Sequence, residues 1–279
     1  MKMFLDVVPI LADRCREAGR AVDGLEWVTD EGDADALIID KVPARRLDRA
    51  ALFLGSLATL AGTDEGFQEW DEKLHVRFER RFEPELQSVY QSCRTGELGQ
   101  LGLLRLHRWV AGPVAAAERE EDLLACVDLA RWFFGELPVS VFALEGPSSA
   151  TIQLHLGFSG NGMAMIDCAW DLPRGRGYDS CHVIGDDGAA YADDHRNVSL
   201  LYAGNDPQAH KVQNEQAAIV AVLDSFITSL DSAESPIGLF SELRSSKDIL
   251  AGVRGSIASG QAVPCGVGII EGRASSYVE

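Results

Sequence analysis

Between Val139 and Tyr202 the chain passes through six short β-forming segments with few residues between them: Val139 to Leu144, Thr151 to Phe158, Met163 to Trp170, Cys181 to Ile184, Ala189 to Ala192, and Val198 to Tyr202. In the second of these, Ile152, Leu154, Leu156 and Phe158 alternate with Thr151, Gln153, His155 and Gly157. A period of two gives that strand one core face and one more polar face. Connections this short leave no room for crossover helices, so the segments predict an antiparallel meander. Asp187-Gly188, between the fourth and fifth segments, is a good hairpin turn. One face of so large a sheet needs a cover, and helices are predicted over Glu85 to Cys93, through Asp122 to Gly135, over Asn214 to Leu230, and over Ser241 to Ala258.

The first 75 residues have a different rhythm. Strands are predicted at Met3 to Val8, Leu25 to Val28, Ala36 to Ile39 and Ser56 to Leu60, with helices at Ile10 to Val22 and Ala44 to Leu54. Such alternation favours a parallel sheet with crossover helices. Two domains follow, residues 1–75 and 76–279. With 46% apolar residues in 279, the chain can bury a substantial core. A net charge of -18 repels polyphosphate and anionic lipid, which argues against a nucleic-acid surface or membrane docking. No run approaches the ~20 apolar residues of a membrane span. The apolar start is short and interrupted by Asp6 and Pro9, which argues against a secretory signal. Six scattered cysteines without a Cys-x-x-Cys pair read as reduced thiols, and the expected compartment is the cytoplasm.

Residues Asp122 to Gly135 read DLLACVDLARWFFG. Their apolar positions Leu123, Val127, Ala130 and Phe134 predict one buried helical face, and Glu121, Ala125 and Asp128 share a neighbouring one. This segment resembles the core helix of the Gfo/Idh/MocA oxidoreductases, whose pattern runs Asp-x-x-x-His-x-x-Asp-x-x-x-Trp-x-x-Gly. Asp128, Trp132 and Gly135 match it, while Glu121 stands at the first acid and Ala125 at the His. Further features follow in the family's order: Val76 to Pro84 as the strand entering the second domain, the Thr-Ile-x-Leu strand at Thr151, Gly162 through Asp167 to Trp170, Pro173 with Gly175, Gly177 and Tyr178, and the hairpin from Ile184 to Gly188. The resemblance implies an α/β plus α+β fold. A shortened Rossmann-like domain would lead into a larger domain whose open, mostly antiparallel sheet is covered by helices on one face.

The same resemblance implies an NAD(P)-dependent dehydrogenase acting on sugars or inositols, and the residues depart from that activity at each step. A dinucleotide needs glycines in the first strand-to-helix turn, so that backbone amides and the helix N-terminus reach its pyrophosphate. Here that turn reads Asp6-Val7-Val8-Pro9-Ile10-Leu11, with branched side chains, one missing N–H and a carboxylate. The family's Glu-Lys-Pro strand end falls in Gly55 to Gly66, which has no Lys; Lys41 and Lys73, outside the motif, read as surface charges. Ala125 neither gives nor takes a proton. The expectation is a protein without a cofactor that binds a sugar- or polyol-like molecule or serves as a partner subunit. The alternative is an active enzyme with NAD or NADP, in which Glu121 or Asp128 takes the proton. A cofactor-free lyase or hydrolase using Glu121, Asp128 and His107 is a third reading.

The resemblance implies a substrate cleft on the sheet face beneath the core helix, lined by Arg81, His107, Arg108, Trp109, Arg176 and Tyr178, and Arg and Tyr suit hydroxyl and carboxylate groups. Trp109 and Tyr178 also read as core or interface aromatics. Asp193-Asp194-His195 reads as a solvated turn rather than a metal corner, and Cys126 as a buried thiol rather than a nucleophile. The expected partners are a second copy of the chain, docked through the sheet of the second domain, or a paralogous oxidoreductase.

Overall fold

The computed structural model describes residues 1–43, 47–62, 72–172, 177–193, 198–203, 206–211, 215–231 and 236–265. In chain order the first elements are β1 (Lys2–Asp6), α1 (Pro9–Gly19), β2 (Glu26–Trp27), β3 (Ala36–Ile39), β4 (Ala50–Phe53), α2 (Leu57–Ala61), β5 (Leu74–Val76) and α3 (Pro84–Arg94). Then come β6 (Leu101–Ala111), α4 (Ala116–Phe134), β7 (Ser140–Glu145), β8 (Thr151–Gly157), β9 (Met163–Leu172), β10 (Tyr178–Gly185) and β11 (Gly188–Asp193). The last are β12 (Val198–Ala203), β13 (Asp206–Lys211), α5 (Glu215–Asp231), β14 (Gly238–Leu239), α6 (Phe240–Ser259) and β15 (Val263–Pro264). Among the described residues no helix is long and apolar enough to cross a membrane.

Contacts divide the chain into Met1–Pro84 with Gln213–Arg244, and Glu85–Val212 with Ser245–Glu279. The first unit is therefore completed by residues distant in sequence, where the sequence pattern suggested a single cut after residue 75. Its sheet runs β14-β5-β4-β3-β1-β2, and all neighbours are parallel except β14. Every residue of β3 is buried, as expected for a continuous apolar run in a sheet covered on both faces. α5 packs against α1, and its Ile219, Val222, Leu223 and Phe226 join Met3, Ala36, Ile38 and Leu52 in one core.

Two expected elements of this unit exchange types. The helix expected over Ala44 to Leu54 is strand β4 at Ala50–Phe53, with positions 44–46 outside the described residues; the strand expected over Ser56 to Leu60 is helix α2. Short Ala- and Leu-rich runs fit either structure, and tertiary context decides them. β4 is held between β3 and β5, while Ser56 Oγ accepts the Thr59 amide at 3.3 Å and starts α2. The strand expected from Val76 to Pro84 stops at Val76, and a 3₁₀ turn occupies Glu79–Phe82.

The second unit is built on a sheet ordered β13-β12-β11-β10-β6-β9-β8-β7-β15. Its pairs are antiparallel except β6 with β9, so β6 is inserted between strands that a pure meander would leave adjacent. β13 is a strand the pattern did not suggest, because Asp206-Pro207 and Lys211 carry none of the usual β signal. One face carries the apolar rows Val183–Leu104–Ala164–Leu156–Val141 and Cys181–Leu106–Ile166–Leu154–Ala143. α4 packs on this side against β6 and β9. α6 covers the same face, its Ser256 Oγ accepting the Ala143 amide at 2.9 Å.

α4 begins where Glu118 Oε2 accepts the Ala115 amide and ends at Gly135, whose φ of 70° is the left-handed conformation glycine tolerates. Its burial exceeds the single stripe expected: every residue from Cys126 to Phe133 is buried, whereas Leu123 and Phe134 are only partly so. The reason is a second contact layer, in which Tyr90 of α3 stacks on Trp132 with ring centroids 3.5 Å apart.

Candidate functional site

In an open parallel sheet, ligands bind at the carboxyl ends of the strands where the order reverses. In the first unit that point lies between β1 and β3, because the chain leaves β1 for β2 on one side and returns to β3 on the other. The turn after β1 carries Val8 as the N-cap of α1 and Pro9 at its first position. The Leu11 and Ala12 amides both donate to Val8 O at 3.0 Å. The Val8 amide donates to Asp40 Oδ2, at the end of β3, at 2.8 Å. Asp40 Oδ1 is buried with no described hydrogen-bond partner, and the Val8 and Ile10 side chains stand in solvent at 44% and 76% exposure. Arg81 belongs to this unit and is fully buried: it donates to Glu242 at 2.9 Å and to Pro236 O at 3.3 Å, with its guanidinium 4.2 Å from the Phe78 ring centroid.

In the second unit, the residues expected on one substrate surface fall on two faces of a sheet. Arg108 points toward α4: its Nε donates to Asp122 Oδ1 at 2.8 Å, and its Nη1 donates to Asp179 Oδ2 of β10 at 3.0 Å. Asp122 Oδ2 accepts the Trp170 indole N–H at 2.8 Å. His107 and Trp109, one position either side of Arg108, point the opposite way with Tyr178 and Ser180 of β10, as strand alternation requires. Arg176 lies outside the described residues.

On that open face His107 Nδ1 lies 2.8 Å from Ser180 Oγ, and His107 Nε2 lies 3.5 Å from Asp167 Oδ2. Gln153 Nε2 donates to the other Asp167 oxygen at 2.7 Å. Burial lowers the His107 pKa, Arg105 lowers it further, and Asp167 opposes both; burial likewise lowers that of His182. Both rings are therefore neutral near pH 7, which makes them hydrogen-bonding groups rather than charges.

The α4 positions keep their expected placement on the helix, with different surroundings. Ala125 is half-buried. Asp128 is 1% exposed and accepts from Arg131 at 3.0 Å, one turn along the same helix. Glu121 is followed by Asp122, the acid that joins Arg108 and Trp170; no sequence signal singled out Asp122, because the family spacing lands one residue earlier. A cavity of about 420 Å³ opens beside Arg119, Glu120, Leu123, Ile152, Trp170 and Val253. At 3.6 residues per turn, Arg119, Glu120 and Leu123 lie on the side of α4 opposite Glu121, Ala125 and Asp128, so the Leu123 face and the Ala125 face are opposed rather than neighbouring as expected. Cys126 is fully buried. Asp193 accepts the Tyr178 hydroxyl at 3.2 Å, Asp194 and His195 lie outside the described residues, and among the described residues no group of three or more His, Cys, Asp or Glu is placed to hold a metal.

No family model and no curated protein matches this chain in sequence. Solved structures do match its fold. An oxidoreductase from Agrobacterium radiobacter, in complex with NAD+, L-tartaric acid and magnesium, superposes with a TM-score of 0.70 at 12% identity over 95% of this chain and 98% of its own. A myo-inositol dehydrogenase from Corynebacterium glutamicum gives 0.67 at 15% identity, covering 95% and 98%. The scyllo-inositol dehydrogenase of Lactobacillus casei, with bound NAD(H) and scyllo-inositol, gives 0.65 at 12% identity, covering 95% and 99%. The chain thus has the fold of inositol and sugar dehydrogenases, as its resemblance to the Gfo/Idh/MocA oxidoreductases implied.

Proposed function

We propose that this chain is a non-catalytic relative of the NAD(P)-dependent inositol and sugar dehydrogenases whose fold it has, acting as a partner subunit or as a binding protein for a small polyol-like molecule. One observation carries the reading: the helix position that resemblance assigns to the proton-transferring His is Ala125, and the buried carboxylate one turn on, Asp128, is held by Arg131. A methyl group transfers no proton, and one oxygen of the Asp128 carboxylate is already occupied by a guanidinium. The first strand-to-helix turn supports the same reading. Dinucleotide phosphates need free amides there. This turn has Pro9 in place of one, and its Val8 amide is taken by Asp40. These residues do not fit a pyrophosphate. Titrating NADH and NADPH against the purified chain tests this; micromolar binding of either overturns it.

A second reading, active hydride transfer with NAD or NADP, draws on the bound NAD+ and NAD(H) of two of the matched structures. It requires Glu121 or Asp128 as the base and predicts that Glu121→Gln abolishes turnover of an inositol or sugar. Cofactor-free acid–base chemistry has less support, because His107 points to the open sheet face while Glu121 and Asp128 belong to the helix on the other.

The partner we propose is a second copy of this chain. Ile184, Leu103 and Met163 form a row across β10, β6 and β9 on the open face, and Trp109 and Leu144 stand elsewhere on the same face; Ile184, Met163, Trp109 and Leu144 are 38–51% exposed. Burying such a patch against its own copy removes it from water. A monomeric mass by light scattering at micromolar concentration excludes this assembly.

A further inference from the structure

We infer that Asp40 is a resident anion that occupies the first strand-to-helix turn of the first unit and closes it to the phosphates of a dinucleotide. The inference rests on the reading above in taking a dinucleotide as the ligand this turn has lost. The residue responsible lies outside the turn's own sequence.

The β1–α1 turn of a parallel sheet attracts anions because its amides point outward and the helix dipole adds partial positive charge. Of the amides from Val8 to Ala12, Pro9 has none, Leu11 and Ala12 are bonded to Val8 O, and Val8 is bonded to Asp40 Oδ2 at 2.8 Å. Among the described residues this leaves the Ile10 amide, and the Ile10 side chain stands beside it at 76% exposure.

Asp40 is held in place from two sides. Its strand neighbour Ile39 pairs with Asp6 in the register of β1 and β3, which brings residue 40 to the level of the turn. Behind it, a Cβ on Gly55 would stand 2.3 Å from Asp40 O, so the backbone of the next strand end packs directly on the Asp40 peptide and only glycine fits. A phosphate arriving at Val8 would displace a carboxylate already bonded there or sit against it as a like charge. The Asp40 side chain thus does within the chain what a ligand's phosphate does in a glycine-rich turn.

The test uses the full chain and inorganic pyrophosphate, followed through the backbone amide resonances of Val8 to Ala12. In the wild type the Val8 amide is slow to exchange, and millimolar pyrophosphate leaves these resonances in place. In Asp40→Ala the Val8 amide exchanges faster, and pyrophosphate shifts Val8, Ile10 and Leu11 at a concentration at least about tenfold lower than any response of the wild type. Asp40→Asn keeps an acceptor for the Val8 amide but removes the charge, so pyrophosphate reaches its turn at a concentration between those of the wild type and the alanine variant; it also serves if the alanine variant does not fold. Wild-type resonances that shift with pyrophosphate overturn the inference. So does an alanine variant that stays silent, or an asparagine variant no more responsive than the wild type. NADH that binds the wild type while Val8 to Ala12 stay unperturbed defeats the proposed loss of cofactor and leaves this inference standing.

Discussion

The Trp170 indole N–H is donated to Asp122 Oδ2 at 2.8 Å, while the other oxygen of the same carboxylate receives the Arg108 guanidinium at 2.8 Å. One acid thus ties α4 to β6 and β9. Asp122→Ala leaves the indole N–H without its acceptor and Arg108 with one carboxylate fewer. We expect a loss of about 1.5–3 kcal/mol, read as a lower urea midpoint at unchanged slope. Asp122→Asn, which keeps an acceptor for Trp170, loses less.

Arg81 was expected to meet substrate, and the structure buries it against Glu242, Pro236 O and the Phe78 ring. Removing one partner of a buried pair strands the other charge. Arg81→Ala is expected to cost about 3–5 kcal/mol in an unfolding titration. Weakened ligand binding with unchanged stability would show that the side chain serves a ligand instead.

His75 is 6% exposed, beside Ser229 Oγ at 3.1 Å and the Phe226 ring. Burial pushes its pKa down to about 4 from 6.5. Between those values the unfolded chain binds a proton that the folded chain refuses. Stability is therefore whole above pH ~6.5 and falls as the pH drops towards about 4, by up to roughly 3 kcal/mol from this ring. Burial at His107 and His182 adds to the slope with the same sign. Unfolding titrations across this range are expected to give a shallower slope in His75→Gln, and an unchanged slope would refute the assignment.

Ile184 stands 42% exposed at the edge of the row it forms with Leu103 and Met163. If that face joins two copies, Ile184→Lys places a charge in the interface and sedimentation shows monomer at concentrations where the wild type is dimeric. A variant that sediments as the wild type does rules this face out.

Ala125→His restores the family's side chain at its position on α4. With no Lys between Gly55 and Gly66 and with Asp40 on the Val8 amide, one residue is expected to restore nothing. NAD reduction by this variant with an inositol and sugar mixture should stay at the blank. A clear rate would argue for the active-enzyme reading.

Legibility in the sequence follows the scale of each interaction. β3, four apolar residues in a row, and β8, with its strict alternation, were evident because burial on two faces or on one writes a local pattern. β4 and α2 were interchanged because Ala50–Phe53 and Leu57–Ala61 are each too short to display a period. Arg108 was grouped with His107 and Trp109 as neighbours in sequence; a strand sends such neighbours to opposite faces, and applying that alternation to β6 would have separated them. Asp40 and Asp122 carried no signal, since their partners Val8, Arg108 and Trp170 lie 32, 14 and 48 residues away.

The amino-acid sequence by itself determined the α/β start, the long run of strands that follows, and the methyl group at position 125, because residue type and short-range periodicity are properties of the chain alone. Which strands became neighbours, that α5 returned to the first unit, and that the Val8 amide met the Asp40 carboxylate were decided only by the tertiary structure. Those outcomes depend on groups far apart in sequence competing for one position in space, where desolvation and charge choose the partner.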